Sequence, residues 1–335
     1  MSKTSSILVD YHDRPHHYLR ISLTDRCNFR CTYCMPCEGL LFAPSNQLMQ
    51  PDEIFDIATL FVKNGVDKIR LTGGEPLVRK DFTEILNRLH TLPVDLSLTT
   101  NAVLAHRYID SFRRWGLRKI NVSLDSLKPE RFFEMTRRDQ LDVVLNNFHH
   151  LVEAGIQVKV NCVMMSGVND DEIIDFIEMT RQYPIAVRFI EFMPFDGNQW
   201  DTSKLVTQQE ILKTVTRYYS TSGYRALPLE SNFTSRNYRI HGYPGSFGII
   251  SSMSNPFCST CNRIRLTADG KLKNCLFSTD ETNLLGPYRS GKDIEPLIHQ
   301  AILRKKAVRA GMDTFHEIQD TRRHSRNRSM IAIGG

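Results

Sequence analysis

Tyr18-Leu19-Arg20-Ile21-Ser22-Leu23-Thr24-Asp25-Arg26-Cys27-Asn28-Phe29-Arg30-Cys31-Thr32-Tyr33-Cys34 is the stretch on which the reading of this chain turns. A strand-length run, residues 18–23, leads straight into a loop that carries three cysteines within eight residues. Working outward, further apolar and β-branched runs stand at residues 67–71, 95–99, 119–124, 157–164 and 187–192. Amphipathic stretches long enough for a crossover helix separate them, so six parallel strands in successive βα units are expected. Pro51 before Asp52 and Glu53 marks a helix start, and Gly65, Gly116 and Gly155 mark turns into the following strand. Strand ends in this reading carry Thr72, Thr99, Asp125 and Glu191, and in a barrel of parallel strands those carboxyl ends build the active site.

After about Phe195 the pattern shortens, with turn signals at Tyr243-Pro244-Gly245 and Ala268-Asp269-Gly270. A boundary is therefore expected near there, giving regions 1–195 and 196–335. The 335 residues are 41% hydrophobic and 24% charged, the composition of an ordinary globular chain rather than a disordered or collagenous one. No window approaches the run of apolar residues that a spanning helix needs, and the first thirty residues offer only Ile7-Leu8-Val9 as an apolar segment. A cytoplasmic protein without membrane contact is expected. The net charge of +6 can steer polyanions but decides nothing alone. Eight cysteines in such a chain point to metal or catalytic roles rather than disulfides.

Cys27, Cys31 and Cys34 form one compact unit, whereas tetrahedral structural zinc wants four ligands, commonly in two short pairs. Three thiolates suit a 4Fe-4S cluster with one iron left without a protein ligand. This spacing, with Tyr33 inside it and Gly73-Gly74-Glu75-Pro76 after the second strand, resembles the radical S-adenosylmethionine (SAM) superfamily. The resemblance implies that the unique iron chelates the methionyl group of SAM. Gly73 and Gly74 would let backbone approach that group, and Glu75 would support either the backbone geometry or the SAM amino group.

Cys258, Cys261 and Cys275 form a second set of three. Zinc completed by His241 or His299 is one reading, and an auxiliary cluster is the other. Here the resemblance narrows to the GTP 3′,8-cyclase family of molybdenum cofactor biosynthesis, lyases that act at its first step. It is carried by Arg20 through Pro36, Lys68 through Pro76, Thr99-Thr100-Asn101, Asn121 through Ser126, Val158 through Asn161, Val187 through Met193, Phe257 through Leu266, and the terminal Gly334-Gly335.

The family fold is an incomplete (β/α)6 TIM-like barrel with a C-terminal extension bearing the second 4Fe-4S cluster. The implied reaction takes hydrogen from C3′ of GTP with a 5′-deoxyadenosyl radical and joins C3′ to C8, giving (8S)-3′,8-cyclo-7,8-dihydroguanosine 5′-triphosphate, with the purine bound at the second cluster. The resemblance places SAM on Tyr33, Gly74, Glu75, Ser123 and Met193. It places GTP on Arg20, Lys68, Arg70, Thr99, Lys159, Arg188, Arg263, Ile264 and Arg265. Arg20, Arg263, Arg265, Gly334 and Gly335 are implied in catalysis, the two glycines threading into the active site. A reductant protein, a downstream cyclic pyranopterin monophosphate synthase and a homodimer are the implied partners.

Two positions depart from the pattern: Cys37 is a spare thiol beside the first set, and Ala102 stands where the family often has glycine. Cys162 is expected to be a core residue. Another radical SAM enzyme, acting on a peptide, is the alternative within this chemistry. Arg263, Arg265, Arg70 and the double glycine fit a triphosphate better. A zinc-stabilised nucleic-acid binder is the alternative outside it, resting on the net charge and on eight basic against three acidic residues from Arg304 to Arg328. That reading leaves the Gly-Gly-Glu-Pro motif unexplained, and no nucleic-acid partner is expected.

Overall fold

The computed structural model describes residues 7–35, 42–229, 234–320, 323 and 327–334. Six strands run parallel in chain order: β1 (Tyr18–Ser22), β2 (Lys68–Thr72), β3 (Asp95–Thr100), β4 (Lys119–Ser123), β5 (Gln157–Met164) and β6 (Ala186–Glu191). Each is joined to the next through helix, with Pro51–Lys63, Phe82–Leu89, Ile109–Arg114, Leu141–Glu153 and Ile173–Gln182 as the crossovers. These are the six βα units legible in the sequence.

Alternation along each strand explains the wall they form. Leu19 and Ile21, Ile69 and Leu71, Leu96 and Leu98, Ile120 and Val122, and Val187 and Phe189 share one buried apolar core with the helices. The intervening residues, such as Arg20, Arg70, Thr99, Asn121, Asn161 and Arg188, fall on the other face. A parallel sheet buried on both faces reads as near-continuous apolar runs. Here the period of two is kept because the second face lines a polar cavity.

The chain after β6 does not form a separate layer. β9 (Ser246–Ile250) adds in parallel to β6, and β10 (Arg263–Leu266) adds in parallel to β1, so the parallel run extends by one strand at each edge. β7 (Tyr224–Ala226) and β8 (Arg236–Ile240) continue antiparallel beyond β9, and β11 (Lys271–Lys273) and β12 (Thr282–Asn283) continue beyond β10. The result is one sheet of twelve strands in the order β12-β11-β10-β1-β2-β3-β4-β5-β6-β9-β8-β7. Pairing of β10 with β1 brings Arg263 beside Tyr18 and Arg265 beside Arg20. Among the described residues no helix is long and apolar enough to cross a membrane.

Candidate active site

Two adjoining cavities open on the polar face, sharing Thr99, Asn161, Val163, Ile190 and Met330 as a common wall. Cys27, Cys31 and Cys34 line the first, together with Tyr33, Gly74, Glu75, Ser123 and Asp125. Cys258, Cys261 and Cys275 line the second, together with Arg20, Arg188, Arg263, Arg265 and Met193.

The turn that holds Cys27 depends on the two glycines. Gly74 N donates to Thr24 O at 2.6 Å and Glu75 N to Arg26 O at 2.8 Å, so the segment after β2 lies against the segment after β1. A Cβ on Gly73 would stand 2.8 Å from Thr24 O, and one on Gly74 would stand 2.4 Å from Arg26 O. The glycines are therefore required by contact with the chain that presents Cys27. Of the two roles open to Glu75, the structure uses backbone support. Its Oε1 accepts from Leu77 N at 3.0 Å and Thr100 Oγ1 at 2.8 Å, and its Oε2 accepts from Asn101 N at 2.7 Å. Burial pushes this carboxyl up to about 7. The next turn holds Ala102 at φ 64°, the left-handed conformation for which glycine is the usual choice, at a cost on the order of 1 kcal/mol. Thr100 Oγ1 accepts from Ala102 N at 3.0 Å, and Asn147 Nδ2 donates to Ala102 O at 2.8 Å, so the turn is held without glycine.

Tyr33 OH donates to Asp125 Oδ2 at 2.7 Å, and Val163 N donates to Oδ1 at 2.8 Å. Asp125 thereby ties the cysteine loop to β5. Desolvation, and after it Glu75, pushes the Cys27 thiol up to about 12. Desolvation also raises Cys31 and Cys34. Three such thiols lose their protons when a cation replaces it, the behaviour of a donor set for a metal centre. Among the described residues no group of three or more His, Cys, Asp or Glu side chains is arranged to hold a single metal ion. His299 bonds Asn64 Oδ1 at 3.0 Å, and His241 is exposed beyond β8; neither lines the second cavity, so neither completes a zinc site with Cys258, Cys261 and Cys275.

The second cavity is cationic. Five arginines, Arg20, Arg188, Arg263, Arg265 and Arg309, line it, and no carboxylate does so among the described residues. Desolvation, with the neighbouring cations, brings Arg188 down to about 9 and Arg20 to about 10, and it lowers Arg265 as well. Arg20 Nε and Asn161 Oδ1 are buried without a hydrogen-bond partner. Groups of this kind, aimed into a polar cavity, call for a ligand with negative charge and hydrogen-bonding atoms. Arg265 Nη1 donates to Gly334 O at 2.6 Å, which anchors the end of helix Met330–Ile333 in the cavity. A Cβ on Gly334 would meet Thr72 Oγ1 at 2.5 Å, so only glycine fits that passage. Gly335 and Cys37 lie outside the described residues.

Arg70 and Lys68 stand behind this layer. Arg70 Nε donates to Tyr18 OH and Nη1 to Thr99 Oγ1 at 3.5 Å, while Lys68 Nζ lies 5.0 Å from the Tyr18 ring centre. Burial would raise the Tyr18 phenol, but Arg70, Arg20, Lys68 and Arg263 outweigh it and bring it down to about 7 from the ordinary 10.0. Since the folded value is depressed, the phenolate's contribution to stability is full above the unfolded value and is lost as pH falls through about 7. A tyrosinate absorbance step centred near pH 7 and absent in Tyr18→Phe is the expected titration. A wild-type curve identical to that of the variant would contradict it.

Besides Lys68 and Arg70, which line neither cavity, three more of the expected contacts stand apart from the expected lining. Met193, expected at SAM, lines the second cavity. The Ile264 side chain packs in the apolar core, since strand alternation sends Arg263 and Arg265 inward and Ile264 outward. Lys159 lies on β5 two residues before Asn161, on the same face and paired with Asn121, and lines neither cavity. Conversely, Asp125, Asn161 and Arg309 line the cavities without having been picked out as ligands. Asp125 was visible as a strand end, and alternation could have flagged Asn161. Arg309 carries no local signal.

A radical SAM superfamily model matches residues 21–180, and a Molybdenum Cofactor Synthesis C model matches residues 185–310. The chain is 48% identical over 99% of its length to "GTP 3′,8-cyclase, mitochondrial" of Arabidopsis thaliana, covering 84% of that protein. It is 41% identical over 89% of its length to the GTP 3′,8-cyclase of Listeria monocytogenes, covering 91% of it. The chain belongs to the GTP 3′,8-cyclase family. As a member of that family it also matches the Mus musculus molybdenum cofactor biosynthesis protein 1, at 45% identity, but spans about half of it (51%). Among solved structures, Streptococcus suis SuiB bound to S-adenosylmethionine shares the fold of this family member, with a TM-score of 0.62 over 86% of this chain and 67% of that one at 15% identity.

Proposed function

We propose that this chain is a GTP 3′,8-cyclase, forming (8S)-3′,8-cyclo-7,8-dihydroguanosine 5′-triphosphate in molybdenum cofactor biosynthesis. The observation that carries the reading is the adjacency of two three-cysteine cavities of opposite electrostatic character across one shared wall. Cys27, Cys31 and Cys34 would hold one 4Fe-4S cluster, and Cys258, Cys261 and Cys275 the other. When bound, the first cluster with SAM supplies a 5′-deoxyadenosyl radical able to take hydrogen from a ribose carbon.

The chain's own residues do the rest. Arg20, Arg188, Arg263 and Arg265 bind the triphosphate, and the arginines offer it bidentate contacts. Tyr18, Lys68 and Arg70 hold that layer from behind. Asp125 and Glu75 fix the loop and turns around SAM. Thr99, Asn161 and Met330, in the shared wall, orient the ribose between the two cavities and exclude water that would quench a carbon radical. A peptide substrate would not call for this concentration of unpaired cations. A one-electron donor, a downstream enzyme consuming the cyclised nucleotide, a homodimer, a cytoplasmic setting and a division at 195/196 belong to the same proposal.

Cys27→Ala is expected to abolish 5′-deoxyadenosine formation. Cys261→Ala is expected to retain SAM cleavage while losing the cyclised nucleotide, both read by chromatography of anaerobically loaded protein. Cyclised product from Cys261→Ala at the wild-type rate would refute the role given to the second set.

A further inference from the structure

The two cysteine sets receive different donors at sulfur. At the first, the donors to Cys27 Sγ are neutral: Phe29 N at 3.3 Å and Asn101 Nδ2 at 3.9 Å. Arg30 is close, but its Nη1 donates to the backbone oxygens of Cys27 at 2.6 Å and Phe29 at 2.8 Å. The charge of Glu75 raises the Cys27 thiol, with Arg30 acting the opposite way, and that of Asp125 raises Cys31 and Cys34.

At the second set backbone N–H groups also donate, Arg263 to Cys261 and Arg309 to Cys258, but cations join them. Lys305, in the turn after helix Glu295–Leu303, is buried at 3% exposure. Its Nζ lies 3.4 Å from Cys261 Sγ, 3.4 Å from Cys261 O and 3.0 Å from Arg263 O. Arg263 Nη2 approaches the same sulfur at 3.7 Å. Among the described residues Lys305 forms no ion pair with a carboxylate; its remaining neighbour is His16 Nδ1 at 3.5 Å.

A buried scaffold fixes the ammonium there. Asp10 Oδ2 accepts from Arg14 Nε at 2.7 Å and lies 3.0 Å from His16 Nε2. With that carboxylate accepting, His16 carries its proton on Nε2 and turns the Nδ1 lone pair toward Lys305. Arg14 Nη1 donates to Cys258 O and Ala307 O, each at 2.8 Å, and Nη2 donates to Lys306 O at 2.8 Å. Arg14 thus ties Cys258 to the backbone just after Lys305. A buried cation without a carboxylate partner is costly, so its placement against a sulfur needs a negative charge there.

We propose that Lys305 is a positioning residue that sets the reduction potential of the C-terminal cluster above that of the N-terminal one, by holding a fixed cation against Cys261. The proposal rests on the reading that both cysteine sets hold 4Fe-4S clusters. One-electron reduction by an external donor adds one negative charge to a cluster, and hydrogen bonds and net charge at the sulfurs tune its potential. A fixed cation stabilises the reduced form and raises the potential. The neutral donors to the Cys27 sulfur, with Glu75 beside Cys27 and Asp125 beside Cys31 and Cys34, leave the first cluster lower.

The test is a potentiometric titration followed by electron paramagnetic resonance on the full chain in a Cys27→Ala background, where the C-terminal cluster is read alone. Lys305→Met is expected to shift the reduction equilibrium at least tenfold toward the oxidised form, about 59 mV for one electron. Lys305→Arg is expected to stay within threefold of the parent. An unchanged midpoint in a Lys305→Met protein with parental iron and sulfide overturns the proposal. If Lys305→Met fails to load, Lys305→Gln is read by the same criterion. Loss of the cluster from both, with retention in Lys305→Arg, overturns it in favour of an assembly role. Absence of a cluster signal from the Cys27→Ala parent would instead refute the two-cluster reading on which the proposal stands.

Discussion

Gly74→Ala is expected to lower 5′-deoxyadenosine formation at least a hundredfold while leaving the C-terminal cysteine set able to bind iron. The new Cβ would stand 2.4 Å from Arg26 O, 2.7 Å from Arg26 C and 3.0 Å from Asp25 O. All three are backbone atoms, so relief requires moving the chain rather than rotating a side chain. The next residue along that chain is Cys27, and Glu75, whose carboxylate organises residues 77, 100 and 101, follows Gly74 directly. A misplacement of about 1 Å at reacting groups costs on the order of a hundredfold. Chromatographic assay of 5′-deoxyadenosine, with iron counted in the same samples, checks this. A rate within threefold of wild type would show that the close approach of the two turns is dispensable.

Arg265→Ala is expected to reduce cyclised product at least about 30-fold, with loss appearing in kcat as well as in KM for GTP. Arg265 is buried, carries a cation among cations, and holds Gly334 O at 2.6 Å. Truncating a buried, hydrogen-bonded charge costs about 2–5 kcal/mol, and each 1.36 kcal/mol is about tenfold in rate. Arg265→Lys should recover little, since an ammonium cannot reproduce the planar fork that spans two acceptors. Steady-state assays of the three proteins decide it. Unchanged kcat and KM in Arg265→Ala would remove this residue from the substrate site.

The β1–β6 wall was legible because each strand keeps a period of two, apolar toward the helices and polar toward the cavity. Cys27, Cys31 and Cys34 were legible because they follow β1 at close spacing. The edges of the sheet were not. β9 and β10 are short runs whose partners, β6 and β1, lie far away in sequence, so only tertiary pairing reveals that Arg263 and Arg265 join Tyr18 and Arg20. A second demand on Gly73 and Gly74 was hidden for the same cause: their close neighbours belong to the turn after β1. Ile264 was placed at GTP by the resemblance, and strand alternation sends its side chain into the apolar core. Lys305 sits in a basic run that reads as a solvated surface, yet the Asp10, Arg14 and His16 cluster draws it inside.

The most direct measurement supplies anaerobically loaded protein with SAM, reductant and GTP deuterated at C3′, and follows both products by mass spectrometry. The account predicts one deuterium in 5′-deoxyadenosine together with a new isomer of GTP that has lost it. SAM cleavage that leaves 5′-deoxyadenosine unlabelled and GTP intact would contradict the account.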